Sequence, residues 1–208
     1  MAAPADFTRL EQEAAGKGCD LVVIAASAGG IHALQEILAG LPADFPVPVA
    51  VVQHRSPRPP NLLGKILGQA SRLTVKLAEA SEALRPGTIY LAPPDLHLIV
   101  LPNHTFALRD GQRIGNVLSS ADPLFASAAE VLGGRVIAVV LTGMGHDASD
   151  GVQAVKAAGG TVIAQDEASS QYFAMPKSAI ATGCVDFILP LRKIAPELVR
   201  LTKAGAGQ

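Results

Sequence analysis

Ser27, His54 and Asp147 each follow a short apolar run: Leu-Val-Val-Ile-Ala-Ala before Ser27, Val-Ala-Val-Val-Gln before His54, and Val136 to Leu141 ahead of the loop that holds Asp147. The three residue types have complementary chemistry. A serine hydroxyl is a weak nucleophile until a neutral imidazole takes its proton, and a carboxylate on the other ring nitrogen fixes the tautomer and stabilises the imidazolium. Together they would carry acyl transfer, with Ser27 as nucleophile, His54 as base then acid, and Asp147 as orienting carboxylate. Each has a plainer reading alone. Ser27-Ala28-Gly29-Gly30 could close a bend or cradle an anion, His54 could be an ordinary loop histidine, and Asp147 could cap the next helix, with Gly143 and Gly145 turning the chain. The convergence on three strand ends favours chemistry, because open parallel sheets collect ligands at their carboxyl edge.

The other histidines compete for the role of base. His32 falls inside the helical run after Ser27, His97 and His104 fall in a hairpin, and His146 adjoins the proposed acid, which leaves His54 best placed. No two histidines have ligand spacing, so a metal site is not expected. Ala25-Ala26-Ser27-Ala28-Gly29 is a relaxed form of a strand-turn-helix nucleophile elbow, and the backbone N–H groups around Ala28 and Gly29 are suited to binding an oxyanion.

The elements that must position these residues are legible as alternation. Leu21 to Ala26, Val47 to Gln53, Leu73 to Leu77, Thr88 to Ala92, Val136 to Leu141, Thr161 to Ala164 and Asp186 to Leu189 are aliphatic or β-branched runs that suit strands covered on both faces. Helical spacing lies between several of them, as in Ile31, Leu34, Leu38 and Leu41, or Leu62, Leu63, Ile66 and Leu67. The expected fold is therefore α/β: a doubly wound, mainly parallel sheet of about seven strands. Asp95 to Leu101 and Thr105 to Asp110 alternate polar with apolar across Pro102-Asn103-His104, which predicts an adjoining antiparallel β-hairpin. Asp122 reads as the N-cap of a helix with Pro123 in its first turn and Gly133-Gly134 at its end. Residues 1–20 read as a short leader with a helix over 8–15, residues 21–203 as one domain, and 204–208 as a tail.

Bulk composition narrows the function. The 17 Lys and Arg against 18 Asp and Glu give a formal charge of -1 with no long basic run, which argues against nucleic acid as a partner. No apolar run approaches the roughly 20 residues of a membrane helix, so membrane insertion is not expected. The early acidic residues Asp6, Glu11 and Glu13 interrupt any secretory signal, and two cysteines without partner spacing fit a reducing cytoplasm. A nucleotide site fares poorly, because no Gly-x-Gly-x-x-Gly and no Walker lysine accompanies the turn at Ser27.

With these residues in place, the chain resembles the catalytic domain of the protein-glutamate methylesterase (CheB) family of bacterial chemotaxis. The resemblance runs from about Leu21 to Leu189 and rests on Ala26-Ser27-Ala28-Gly29-Gly30, Val51-Val52-Gln53-His54, Leu84 to Pro94, Ser120-Ala121-Asp122-Pro123-Leu124-Phe125, Leu141 to Asp147 and Ala164 to Ser169, in that order. It implies a doubly wound sheet with a hairpin and a triad falling on Ser27, His54 and Asp147. It also implies hydrolysis of glutamate γ-methyl esters on a chemoreceptor or similar signalling protein in a phosphorelay pathway, with methanol released, deamidation of glutamine in some members, and no cofactor. Met144 matches a family position whose backbone N–H would help bind the oxyanion. Phe173-Ala174-Met175-Pro176-Lys177 also resembles the family's downstream pattern, though a helix entry with Pro in the first turn explains it equally well.

Three departures stand out. Ala28 replaces a frequent Thr, Asp147 is followed by Ala148-Ser149-Asp150-Gly151 instead of an immediate Gly, and Leu118-Ser119 replaces a frequent Arg-Pro. They permit a rival expectation, a catalytically silent domain that binds signalling partners. Residues 1–20 are too few for the receiver domain that many relatives carry, so regulation without a receiver in this chain is expected.

Overall fold

The computed structural model describes residues 18–54, 61–110 and 119–203. The helix expected over 8–15, most of the leader and the tail at 204–208 lie outside the described residues.

The first apolar run forms β1 (Leu21–Ala26), buried along its whole length. A strand without polar alternation needs cover on both faces, and β1 has it at the centre of the sheet. Successive side chains go to opposite faces, as a period of two requires: Val22, Ile24 and Ala26 enter one core, Leu21, Val23 and Ala25 the other. β1 pairs in parallel with β2 (Val49–Gln53) on one side and β7 (Val136–Val140) on the other. Beyond β2 lie β4 (Thr88–Leu91) and β3 (Thr74–Leu77); beyond β7 lie β8 (Thr161–Gln165) and β9 (Phe187–Leu189). The order is β3-β4-β2-β1-β7-β8-β9, all parallel. β2 begins at Val49 and not at the expected Val47, because Pro48 has no N–H to donate; its carbonyl still accepts from Val22 N at 3.1 Å.

Helices cover both faces. α1 (Gly30–Gly40), α2 (Asn61–Ala70) and α6 (Leu191–Lys203) pack on the Ile24 side; α3 (Asp122–Leu132), α4 (Ser149–Ala157) and α5 (Ala174–Ala181) pack on the Val23 side. The expected doubly wound α/β fold is therefore the observed one. α6 has no counterpart in the sequence reading: Pro196 lies inside it, yet Leu191, Ile194, Ala195, Leu198 and Leu201 make a buried stripe. That stripe has helical spacing, and packing on the sheet outweighs the single lost backbone bond. Among the described residues no helix is long and apolar enough to cross a membrane.

The hairpin is a separate two-stranded antiparallel sheet of β5 (Leu96–Val100) and β6 (Phe106–Asp110). Leu98, Val100 and Phe106 dock it on the Val23-side core. Tyr90 pins it from the main sheet. Its hydroxyl donates to Ala83 O at 2.9 Å and accepts from Arg85 N at 3.1 Å, while its ring meets Phe106 edge-on at 4.9 Å between centroids.

The start of α3 differs from expectation. The residue before the helix is Ala121, and Asp122 is its first helical residue. The Asp122 carboxylate accepts from Gly151 N on α4 at 2.7 Å, and the Asp122 N–H is taken by Ser120 Oγ at 3.2 Å. Asp122 joins two helices, and Ser120 serves the helix start. Gly151 permits this close approach, since a Cβ there would lie 2.6 Å from Phe125 Cβ.

Candidate active site

β1, β2 and β7 end side by side at the point where the chain winds one way into β2 and the other way into β7. Backbone bonds fix the loops that follow. His54 N donates to Ala26 O at 2.9 Å, and Ser27 N donates to Thr142 O at 3.1 Å. Ser27 to Gly30 form a tight turn closed by Gly30 N donating to Ser27 O at 2.9 Å. Gly29 has φ 77 and ψ -8, the third position of a type II turn and one that favours glycine. Gly30 is required for space, because a Cβ there would lie 2.3 Å from Gln53 Oε1 and 2.7 Å from Ala26 Cβ.

Side chains not singled out as functional from the sequence hold these loops together. Gln53 Nε2 donates to both Ser27 O at 2.8 Å and His54 O at 2.9 Å, joining the two loops at their backbones. Its Oε1 is buried without a hydrogen-bond partner among the described residues. Turning the amide over would set oxygen against two carbonyls, so the two Nε2 bonds decide the orientation. Thr142 Oγ1 donates to Ala28 O at 3.1 Å and accepts from Tyr172 N at 2.8 Å. Thr142 N in turn donates to the buried Gln165 Oε1 at 2.8 Å. The signal for this frame was present: Gln53 and Gln165 each end an apolar strand, where a buried amide must bond loop backbone.

His54 Nε2 and Asp147 Oδ2 are 2.6 Å apart, with only 9% and 5% of the two side chains exposed. Asp147 is held by two further donors. Ala121 N donates to Oδ2 at 2.8 Å, and Ser120 Oγ donates to Oδ1. Burial works to raise the Asp147 pKa, but the hydrogen bond and charge of His54, with Ser120 and Ala121, outweigh it and hold the carboxyl at about 2. An ionised Asp147 only accepts hydrogen bonds, so His54 Nε2 must carry the proton toward it. In the neutral form of the ring, the one able to act as a base, the lone pair is then on Nδ1.

Ser27 and His54 border one cavity of about 430 Å³, together with Ala28, Gly29, His32 and Gln171. The structure thus brings His54 and Asp147 into direct contact and puts Ser27 on the wall His54 shares. Ser27 Oγ makes no hydrogen bond to a described residue. The N–H groups of Ala28, Gly29 and Met144 likewise have no acceptor among the described residues, while Gly143 N is taken by Tyr172 O at 2.9 Å. Met144 is 63% exposed. Among the other histidines, His32 faces the cavity, His97 is buried in the hairpin, and His104 and His146 are exposed.

Gly143 has no room for a side chain: a Cβ would lie 2.2 Å from Met175 Sδ and 2.8 Å from Ser27 Cβ. Gly143→Ala should therefore displace Ser27. Misplacing a reacting group by an ångström costs on the order of 10²-fold in rate, so kcat should fall by about that factor with the fold retained, as steady-state kinetics and circular dichroism would report. Ala148, the residue after the acid, adopts the left-handed region at φ 75. A glycine would take that conformation without strain, so Ala148 holds it at a steric cost.

Asp122 responds to pH in the opposite sense to Asp147. Burial first, then the Asp147 and Asp150 charges, push it up to about 6, partly offset by the Gly151 N–H. A lowered carboxyl adds stability that is lost as pH falls, here from about 4 toward 2 for Asp147. A raised one removes stability as pH rises, here from about 4 through 6 for Asp122. Asp122→Asn keeps an acceptor for Gly151 N and cannot ionise. It should be more stable than the parent at pH 7 by about 1 kcal/mol after allowing for solvent screening. Urea midpoints at pH 7 and pH 4 check this, since the advantage should disappear at the lower pH.

The doubly wound sheet, with its serine turn and His–Asp pair at the switch point, matches a known class of α/β domain. The chain belongs to the CheB methylesterase family, whose model matches residues 22–198. It is 43% identical over 183 residues to a Rhizobium meliloti (strain 1021) protein named protein-glutamate methylesterase/protein-glutamine glutaminase of group 3 operon, covering 88% of this chain and 52% of that one. It is 37% identical over 182 residues to a Leptospira interrogans relative, covering 94% of that protein. The crystal structure of the Thermotoga maritima CheB methylesterase catalytic domain superposes with a TM-score of 0.85 at 42% identity, covering 88% of this chain and 99% of that one. The chain spans about half the length of several curated relatives it matches.

Proposed function

We propose that this chain is a serine hydrolase that cleaves glutamate γ-methyl esters, and deamidates glutamine, on a chemoreceptor or receptor-like signalling protein in the cytoplasm. The observation that carries the reading is the 2.6 Å His54–Asp147 pair beside a cavity that Ser27 and His54 share. Asp147 fixes the proton on Nε2, and Nδ1 takes the Ser27 proton as Oγ attacks the γ-carbonyl carbon. The resulting oxyanion is received by the N–H groups of Ala28 and Met144, with Gly29 at the turn. Collapse breaks the bond to methoxide, which leaves as methanol with the proton from His54, and Ser27 is left acylated. Water, deprotonated by His54, then attacks the acyl carbon and releases free glutamate and Ser27. For a glutamine the same sequence releases ammonia. No cofactor enters any step.

Incubation of a methylated receptor fragment with the protein, followed by peptide mass analysis, tests this reading. Glutamyl esters should become acids and target glutamines should become glutamates, both faster than without enzyme. Peptides unchanged from the control would leave the rival reading, a silent partner-binding domain.

A further inference from the structure

Asp147 is held from behind by a chain of buried groups that leads away from the cavity. Ser120 is fully buried and gives its single hydroxyl proton to Asp147 Oδ1, while its oxygen accepts from Asp122 N at 3.2 Å. Ser120 N donates to Nδ1 of His97 at 3.2 Å, and His97 is only 6% exposed on β5. The hairpin is itself tied to α3, since Val100 N donates to Ser127 Oγ at 3.0 Å and Ser127 Oγ donates to Pro123 O at 2.7 Å. The line His97–Ser120–Asp147–His54 therefore joins the small antiparallel sheet to the base of the proposed triad.

We infer that Ser120 is a positioning residue for the hydrolysis, fixing the Asp147 carboxylate toward His54, and that His97 in the hairpin fixes Ser120. This rests on the hydrolase reading above. A carboxylate has two oxygens and is free to turn about its terminal bond; bonds to both oxygens remove that freedom. Oδ2 takes His54 and Ala121, so Ser120 supplies the restraint on Oδ1. Without it the plane of the carboxylate rotates and the direction of the His54 ring is no longer determined. The hairpin then serves as a buttress for the triad as well as a cover for the core.

The test is a double-mutant cycle read in two ways: hydrolysis of receptor esters, and the rate at which a serine-directed organophosphonate labels Ser27, which needs no receptor. Ser120→Ala should lower both kcat and the labelling rate about tenfold, as expected for one member of a hydrogen-bonded network, with KM unchanged. In the Asp147→Asn background the same substitution should cost nothing further, because it acts through that carboxylate. Ser120→Thr, which keeps the hydroxyl, should restore most of the rate. His97→Leu should reproduce the loss, and His97→Asn, which keeps an acceptor near the Nδ1 position, should not. Equal losses for Ser120→Ala in both backgrounds, or an unchanged labelling rate, would overturn the inference. Labelling that follows this pattern with no turnover of receptor esters would count against the substrate and leave the positioning role standing.

Discussion

Asp147→Asn is expected to lower kcat for ester hydrolysis about 10⁴-fold, the size of effect seen when a triad aspartate is made neutral while its geometry is kept. Among the described residues this carboxylate accepts from His54 Nε2 and Ala121 N on Oδ2, and from Ser120 Oγ on Oδ1. An amide offers one oxygen and one NH₂ group, so it cannot satisfy them in either orientation without rearrangement. With its NH₂ toward His54 it forces the proton onto Nδ1, the nitrogen that must receive the Ser27 proton. With its oxygen toward His54 it keeps the tautomer but supplies no negative charge to the imidazolium. Steady-state kinetics should show the loss in kcat with KM little changed, and a urea titration should show a folded protein. A loss below tenfold would mean that Asp147 does not orient the base.

Most of the sheet was legible because its strands are unusually uniform. Leu21–Ala26 contains no polar residue, and only a central strand covered on both faces accommodates that pattern. The exceptions have local causes. Pro48 delays β2, and Pro196 hides α6 by interrupting a helical stripe that tertiary packing nevertheless keeps. Asp122 reads as a cap because Asp before Pro usually is one; the nearby N–H of Gly151 on α4 offered its carboxylate a different partner, and a cross-helix bond has no signature in a linear sequence.

The residues of the proposed triad could be read from the sequence; of the side chains that support them, only Gln53 and Gln165 left a signal there, as polar residues at the ends of apolar strands. Ser27, His54 and Asp147 carry chemistry in their residue types, and each follows a strand whose end could be located. Gln53, Thr142, Gln165 and Ser120 are polar residues whose roles depend on which loops meet, and that depends on strand order. Once β1, β2 and β7 are adjacent, Gln53 bridges the Ser27 and His54 loops, and Thr142 bridges the Ser27 and Tyr172 loops. The same adjacency explains the small residues at Gly30 and Gly143, which are forced by neighbours far away in sequence. Ala28 takes part in this frame through its backbone carbonyl, which accepts from Thr142 Oγ1.

Ser27→Ala carries the largest expected effect. The substitution removes the atom that forms the acyl intermediate, and loss of the nucleophile in a serine triad costs about 10⁶-fold in kcat. What remains is the contribution of the oxyanion donors and of binding, worth about 10³–10⁴-fold over water. The methyl group of alanine fills the place of the serine Cβ without new contacts, and the turn is held by the backbone bonds of Ser27 N and O, so the fold should be unaffected. The most direct measurement is the release of labelled methanol from a methylated receptor by the parent protein and by Ser27→Ala under identical conditions. Release by Ser27→Ala should be about 10⁶-fold slower than the steady release by the parent. Equal rates from the two proteins would contradict it.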